Sequence, residues 1–542
     1  NYCQISDGVL YYTDLRPTEN EVHSMNKTFK IVFNKARGAL MVANEITGSV
    51  QRSGKNKVAL CIAVAGLLSS SVTFATTNSP SVVWDSTNTP QGNSFIFDRP
   101  ELPGDTIPIG MQIKSGAQGT IYNTELSLKV NNDTHPYPAA VRALYQFGTN
   151  SNATFAGDFT HIYLETNHTG TGNSEASAFT NYGGTTNFNA TNTILTTKTP
   201  YINGKFAIAL EAYGDKDHDA IINFNGDSVT LNVESSVDRI DTGATDANRR
   251  TAVVGALATY GEINSNAKVF NVTVKSLGET LAPADQELST DGKNYTTTAP
   301  EGKVGAADAI GLEAGGGQIN VRNTTNIDVS AIGGTATGLA AYDSYYTSTT
   351  GIVDLDGAGI ILENANIDVK SEKASATGLL GTQTVSDGVL INIKGNLNLN
   401  VSSNQGNAYG VNLDGGRSII GSSGKDVTIN VSSPSVPSRN VWVHNNGILS
   451  FGQKDGRVNS VSLNNVGTGD SDPYFIGRVD KGSTLNIFAN SYTQTGSGHG
   501  LYVVGDNATL NIDVDSFISS SAYTAIHTRE AASAVALSLI HI

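Results

Sequence analysis

Cysteine is almost missing from this chain. Of its 542 residues only Cys3 and Cys61 are cysteines, and both lie ahead of residue 76. The remainder therefore has no disulfide, no thiolate metal site and no cysteine nucleophile to draw on. It must hold itself together by burial and backbone hydrogen bonds. Charge is also sparse, at 15% of residues, and aromatics at 7%. What charge there is leans acidic: 34 basic side chains against 49 acidic ones. Residues 76–542 carry 26 basic and 44 acidic groups, a net −18. Such a field repels nucleic acid and anionic membranes, so neither is expected as a partner. Long apolar runs are lacking too. The run VALCIAVAGLL, Val58 to Leu68, has eleven residues, short of the ~20 that a membrane-spanning helix needs.

What is abundant is Gly, with 57 residues, together with Asn, Thr and Ser. These residues disfavour helices and favour short strands joined by turns. A disordered chain is excluded, because Ile, Val and Leu recur in alternating runs throughout.

The apolar run has a recognisable context. Arg52, Lys55 and Lys57 precede it and SSSVTFA follows it. That is the order of a secretory signal, with cleavage expected after Ala75, Thr73 at the other small position, and a mature chain from Thr76. Ahead of the signal lies MNKTFKIVFNKARGALMVANE, from Met25. From Met25 to Ala75 there are seven basic residues and one acidic residue, Glu45. Phe29, Val32, Phe33, Ala36, Leu40 and Ala43 fall at helical spacing, which predicts a basic amphipathic helix able to lie on an anionic membrane surface.

Met25, Asn26, Lys27, Phe29, Lys30, Asn34 to Gly38 and Glu45 resemble the extended signal peptide region of type V secreted proteins, the autotransporters of Gram-negative bacteria. Phe33 stands where that pattern often has Trp. The resemblance implies export through the inner-membrane translocon. It also implies passage across the outer membrane through a C-terminal barrel and its assembly machinery, ending at the cell surface with release beyond it as an option. The expected organisation is upstream translated sequence at 1–24, the extended signal at 25–75, a less regular passenger region at 76–300, a more regular one at 301–530, and a truncation remnant at 531–542. No terminal series of strands resembling a translocator barrel appears before Ile542, so the chain is expected to be a truncated one.

Residues 76–542 repeat themselves. NIDV at Asn326–Val329 returns at Asn366–Val369, and ATGL at Ala336–Leu339 returns at Ala376–Leu379. NLNV at Asn398 and AYGV at Ala408 keep the same internal offset. INFNGDSVTLNV from Ile222 echoes INSNAKVFNVTV from Ile263. NIDV at Asn511 and TLNIF at Thr484 read as members of the same set. Within each unit apolar and polar residues alternate, so one face is buried. Strand and turn at a period of 20–50 residues means a solenoid, a propeller or an array. The drifting spacing favours a parallel β-helix over a propeller. Hence the expected fold is all-β: a right-handed parallel β-helix behind a helical extended signal peptide. Two coils of ~20 residues per repeat would give a rod of roughly 100 Å at the spacing of paired strands. Autotransporter passengers commonly resemble this fold.

Chemistry is harder to find. Gly226-Asp227-Ser228 and Gly469-Asp470-Ser471 lack the glycine that completes a serine-protease nucleophile motif, and neither a G-x-S-x-G elbow nor an H-E-x-x-H pair is present. Asp215, Asp217 and Asp219, beside His218, form a weak cation candidate, but Ala220 and Gly226 break the EF-hand pattern. Trp442 and Tyr409 are candidates for stacking on sugars. No cofactor and no catalytic residue is expected. The reading is an adhesin or aggregation factor meeting host or bacterial surface glycans or proteins. The alternatives are a hydrolase on the same scaffold, with a carboxylate pair that only three dimensions would reveal, and a trimeric adhesin, for which heptad stalks are missing.

Overall fold

In the computed structural model the described residues are 3–6, 9–12, 29–34, 39–44, 81–99, 108–130, 140–166, 175–199, 206–214, 219–236, 239–240, 252–279, 304–342, 359–383, 388–434, 438–467, 475–521, 523–529 and 534–541. They divide between two units, Asn1–Ser71 and Val72–Ile542.

In the first unit Cys3–Ser6, Val9–Tyr12, Phe29–Asn34 and Ala39–Asn44 form a four-stranded sheet. Phe29–Asn34 and Ala39–Asn44 pair antiparallel, Phe29 opposite Asn44. At these residues the expected helix gives way to strands. Phe29, Ile31 and Phe33 also alternate, so the same apolar side chains satisfy a period of two as readily as a helical one. The rest of 25–75, with the apolar core and the Thr73–Ala75 cleavage position, lies outside the described residues.

The second unit is a parallel β-helix. One sheet of 14 strands, all pairing in parallel, runs from Val82–Trp84 to Ile526–Arg529. It forms the first face. Each coil then turns into a second face and a third face before returning. Coil seven shows the route: Asp308–Gly315 on the first face, then the long strand Gln318–Ala331, whose two halves lie on the second and third faces. The second and third faces therefore belong to one continuous set of paired strands. Right-handed crossovers are the rule for parallel strands joined this way.

The 40-residue repeat is one coil rather than two. Asn326 pairs directly with Asn366 and Ala336 with Ala376. Equivalent ladder residues are separated by 24 (Phe475 and His499) to 56 residues (Ala252 and Asp308) along the chain. With fourteen first-face strands, the stack is about 60 Å long at ~4.8 Å per coil, shorter than the expected rod because each turn uses more chain. A second correction concerns NIDV. The copies at Asn326 and Asn366 sit on the third face, whereas Asn511 pairs with Asn486 on the second. Ala534–His541 pairs in register with Thr509 onward.

The core is built of rows along the axis. On the third face Leu126, Ile162, Leu195, Leu231, Val272, Ile327, Ile367, Leu399, Ile429 and Leu463 stack in register, all buried. Each such side chain contributes about 1.5–3 kcal/mol by leaving water. On the second face Phe155, Phe188 and Phe224 stack with centroids 5.2 and 5.0 Å apart. The first face meets these rows with small residues. Gly255, Gly311, Gly338, Gly378 and Gly410 form one row, and a Cβ on Gly338 would lie 2.6 Å from the Gly378 carbonyl oxygen and 2.8 Å from Ile367 Cγ2. The glycine of ATGL is thus a matter of space. In the next coil Asn440 takes this place, buried, donating to the carbonyls of Ile429 and Asn464.

The turn from third to first face is held by hydroxyls. Ser276, Ser371, Ser403 and Ser433 donate to the carbonyls of Ala307, Gly334, Ala374 and Gly406. Outward Asn side chains satisfy one another. Asn366 donates to Asn326 at 3.0 Å and Asn326 to Asn271 at 2.9 Å. A parallel row runs Asn464 to Asn430 to Asn400 to Asp368. A further ladder, Asn266 to Asn225 to Asn189, follows the turn between the second and third faces.

Candidate ligand-binding surface

The outward side of the first face differs from these ladders: its rows change chemistry from coil to coil. Alternation along each strand sends one residue in and the next out. The glycine row shifts that pattern locally, so the outward positions are the second, fifth and seventh residues of strands such as Ala408–Asp414. Two clusters result, near opposite ends of the stack.

The cluster nearer the start comprises Arg142, Tyr145, Glu175, Tyr182, Glu211 and Tyr213. Arg142 and Glu175 form a buried ion pair, 2.8 Å between Nη2 and Oε1. The guanidinium lies 4.8 Å from the Tyr145 ring and 5.5 Å from the Tyr182 ring. Tyr182 stacks on Tyr213 at 4.9 Å. Glu211 is buried, and its Oε2 has no hydrogen-bond partner. Burial, then the charge of Glu175, pushes the Glu211 carboxyl up to about 8. A carboxyl raised in this way beside an arginine-paired glutamate favours its protonated form.

The second cluster spans the last five first-face strands. Tyr409 and Trp442 have ring centroids 5.7 Å apart, so the structure brings together the two aromatics singled out from sequence. Between them lies Arg439, its guanidinium carbon 4.8 Å from the Trp442 ring and 6.0 Å from Tyr409. Trp442 donates its Nε1–H to Asp480 at 2.9 Å, and Arg478 donates to the same carboxylate at 2.6 Å. His444 lies 3.3 Å from Asp414 and 3.0 Å from the Asn412 amide oxygen. Burial holds His444 below its ordinary range, against the pull of Asp414. Phe475 stacks on Tyr502 at 4.1 Å, and His499 and His527 flank them at 5.3–5.4 Å. Tyr409, Arg439, Trp442, Arg478, His499 and His527 are all partly exposed.

Between the two clusters the outward residues Ile208, Val254, Leu257, Ile310, Ala340 and Tyr342 are buried and form a separate apolar group.

Of the weak cation candidate, Asp215 and Asp217 lie outside the described residues. Asp219 is exposed, and its backbone carbonyl accepts from Gly184 N–H. Among the described residues no group of three metal-ligating side chains converges. Asp227 lies in the turn between second and third faces, 2.9 Å from Lys268 Nζ, and Ser228 donates to Asn192; Gly469-Asp470-Ser471 lies outside the described residues. Sequence reading missed Arg142, Glu175, Glu211, Arg439, Arg478, His499 and His527. The available signal was coil alignment: once ATGL and AYGV are superposed, VRALYQF and RNVWVH fall on the same outward positions.

No curated protein and no solved structure matches the chain. Residues 25–73 match the family described as Extended Signal Peptide of Type V secretion system. That leader ahead of a parallel β-helix indicates a type V secreted protein with a surface passenger on the route to the outer membrane and cell surface, and supports an autotransporter.

Proposed function

We propose that the passenger is an adhesin or aggregation factor that binds glycans or proteins of host or bacterial surfaces. One observation carries this reading: outward rows that satisfy themselves on two faces give way, on the first, to partly exposed aromatic and charged side chains around Trp442. Aromatic rings and arginine are the side chains that dominate recognition energy. Export uses the translocon and outer-membrane machinery that the leader implies, with an outer-membrane barrel as the pore. The test is display of the chain, joined to a translocator barrel, on non-adherent cells. Aggregation or adhesion that is lost on replacing Tyr409, Arg439 and Trp442 together by Ser supports the reading; cells that settle no faster than barrel-only controls would remove it.

A second reading, a hydrolase, is favoured by Glu211 held protonated beside Glu175 and Arg142. Release of reducing ends from polysaccharides, abolished by Glu211→Gln, is its test.

A further inference from the structure

The patch around Trp442 has a charge opposite to that of its chain. Within the last five first-face strands Arg439, Arg478 and Arg529 and three histidines face out against two carboxylates, Asp414 and Asp480, whereas the chain as a whole is at −15. Both carboxylates are already engaged. Asp480 accepts from Trp442 and Arg478, and Asp414 accepts from Asn445 and faces His444. Arg439 lies at the centre of the aromatic pair. It stacks on Trp442 and Tyr409, has no carboxylate within ion-pair distance among the described residues, and leaves its buried Nε without a hydrogen-bond partner. A guanidinium set between aromatic rings, planar and partly desolvated, is suited to a carboxylate.

The spacing suggests the form of the ligand. Successive strands advance by ~4.8 Å, close to the length of one hexose in an extended chain, so a linear glycan laid along the axis meets a fresh rung with each sugar. Four such steps, from Tyr409 to His527, span about 20 Å. Two rows run side by side along that line, Tyr409, Arg439, Phe475, His499 and Trp442, Arg478, Tyr502, His527, and in each an aromatic ring alternates with an arginine or histidine.

We propose that this strip binds a linear polyuronate, with sugar rings against Tyr409 and the exposed edge of Trp442, whose faces Arg439 and His444 cover, and in-chain carboxylates on Arg439 and the basic side chains beyond it. The inference rests on the reading of the passenger as a surface binder and names its ligand class. A terminal acidic sugar would engage Arg439 alone and leave the other rungs unused.

Only two tryptophans are present, and Trp84 is fully buried in the first coil, so a ligand-induced change in emission reports on Trp442. Hexagalacturonate is titrated into the full chain, alongside its methyl ester, maltohexaose and sialyllactose. Saturable quenching is expected for the free acid, at least about tenfold weaker binding for the ester and neutral sugar, as befits a charge-assisted contact, and weaker binding in high salt. By calorimetry Arg439→Gln loses about tenfold, and the double variant His499→Ala/His527→Ala, at the far end of the strip, loses a smaller factor, with protease resistance checked for both. No saturable binding, equal affinity for acid and ester, tighter binding of sialyllactose, or unchanged affinity in both variants overturns the proposal. If displayed cells still aggregate while hexagalacturonate fails to bind, this inference alone falls; if they do not aggregate at all, the adhesion reading falls first.

Discussion

The third face and the outward side of the first face are made by the same coils, yet they follow opposite rules. On the third face the inner row stays aliphatic throughout and the outward rows repeat Asn over successive coils, so that Asn326 meets Asn366 and Ile327 meets Ile367. On the outward first face Thr377, Tyr409 and Arg439 follow one another in a single row. A row of identical side chains is the cheapest way to satisfy a stacked edge, because each polar group finds its partner one rung away. A row that changes from rung to rung forgoes that economy. The comparison teaches where selection for something other than stacking has acted.

Substitutions ordered by their cost sharpen this contrast. Ile367→Asp puts a charge in the inner row and should cost more than about 4 kcal/mol; loss of protease resistance and of surface yield would register it. Normal display of this variant would break the claim that inner rows hold the stack. Gly338→Val drives a side chain into the Gly378 carbonyl and should cost about 3 kcal/mol, measured by denaturant midpoint. At the acidic cluster the sign follows from linkage. Glu211 binds its proton more tightly folded than unfolded, so its contribution to stability is fully present below the ordinary value of 4.5 and is lost as pH rises through about 8. Glu211→Gln should flatten that slope and raise the melting temperature at pH 8. Asn430→Ala removes a ladder amide that both donates to Asn400 and accepts from Asn464, a loss of about 1 kcal/mol. Trp442→Ala should change stability least, by under about 1 kcal/mol for a partly exposed site, while abolishing adhesion. An equal loss of stability from Trp442→Ala and Ile367→Asp would erase the distinction between the faces.

Most of the fold was legible because it is periodic. The copies of NIDV and ATGL at Asn326, Asn366, Ala336 and Ala376 are paired neighbours in space, and Ile222 and Val233 pair with Ile263 and Val274. The number of strands per repeat was not legible, since alternation marks a strand but not where the chain bends between two faces. In Gln318–Ala331 that bend falls inside one continuous strand. Nor could four letters reveal their face, which is why Asn511 was grouped with Asn326. The candidate site was the least legible part. Arg142, Glu175 and Glu211 lie in three successive turns with nothing repetitive about them, and their meeting depends on coil lengths that vary. Trp442 and Tyr409 stood out only as rare aromatics.

The amide ladders have one more consequence. In every Asn–Asn bond named above, the NH₂ group points toward the earlier coil and the carbonyl toward the later one. The small dipoles therefore add instead of cancelling, and the stack is electrically one-way. A rung added at the later end meets waiting acceptors with its donors, and one added at the earlier end does the reverse. Aspartate can receive in such a column but cannot hand on, and where Asp328 sits below Asp368, burial and then that neighbouring charge hold its carboxyl above the usual range. Polarity of this kind makes the two ends of the stack chemically unlike, acceptors facing outward at one and donors at the other.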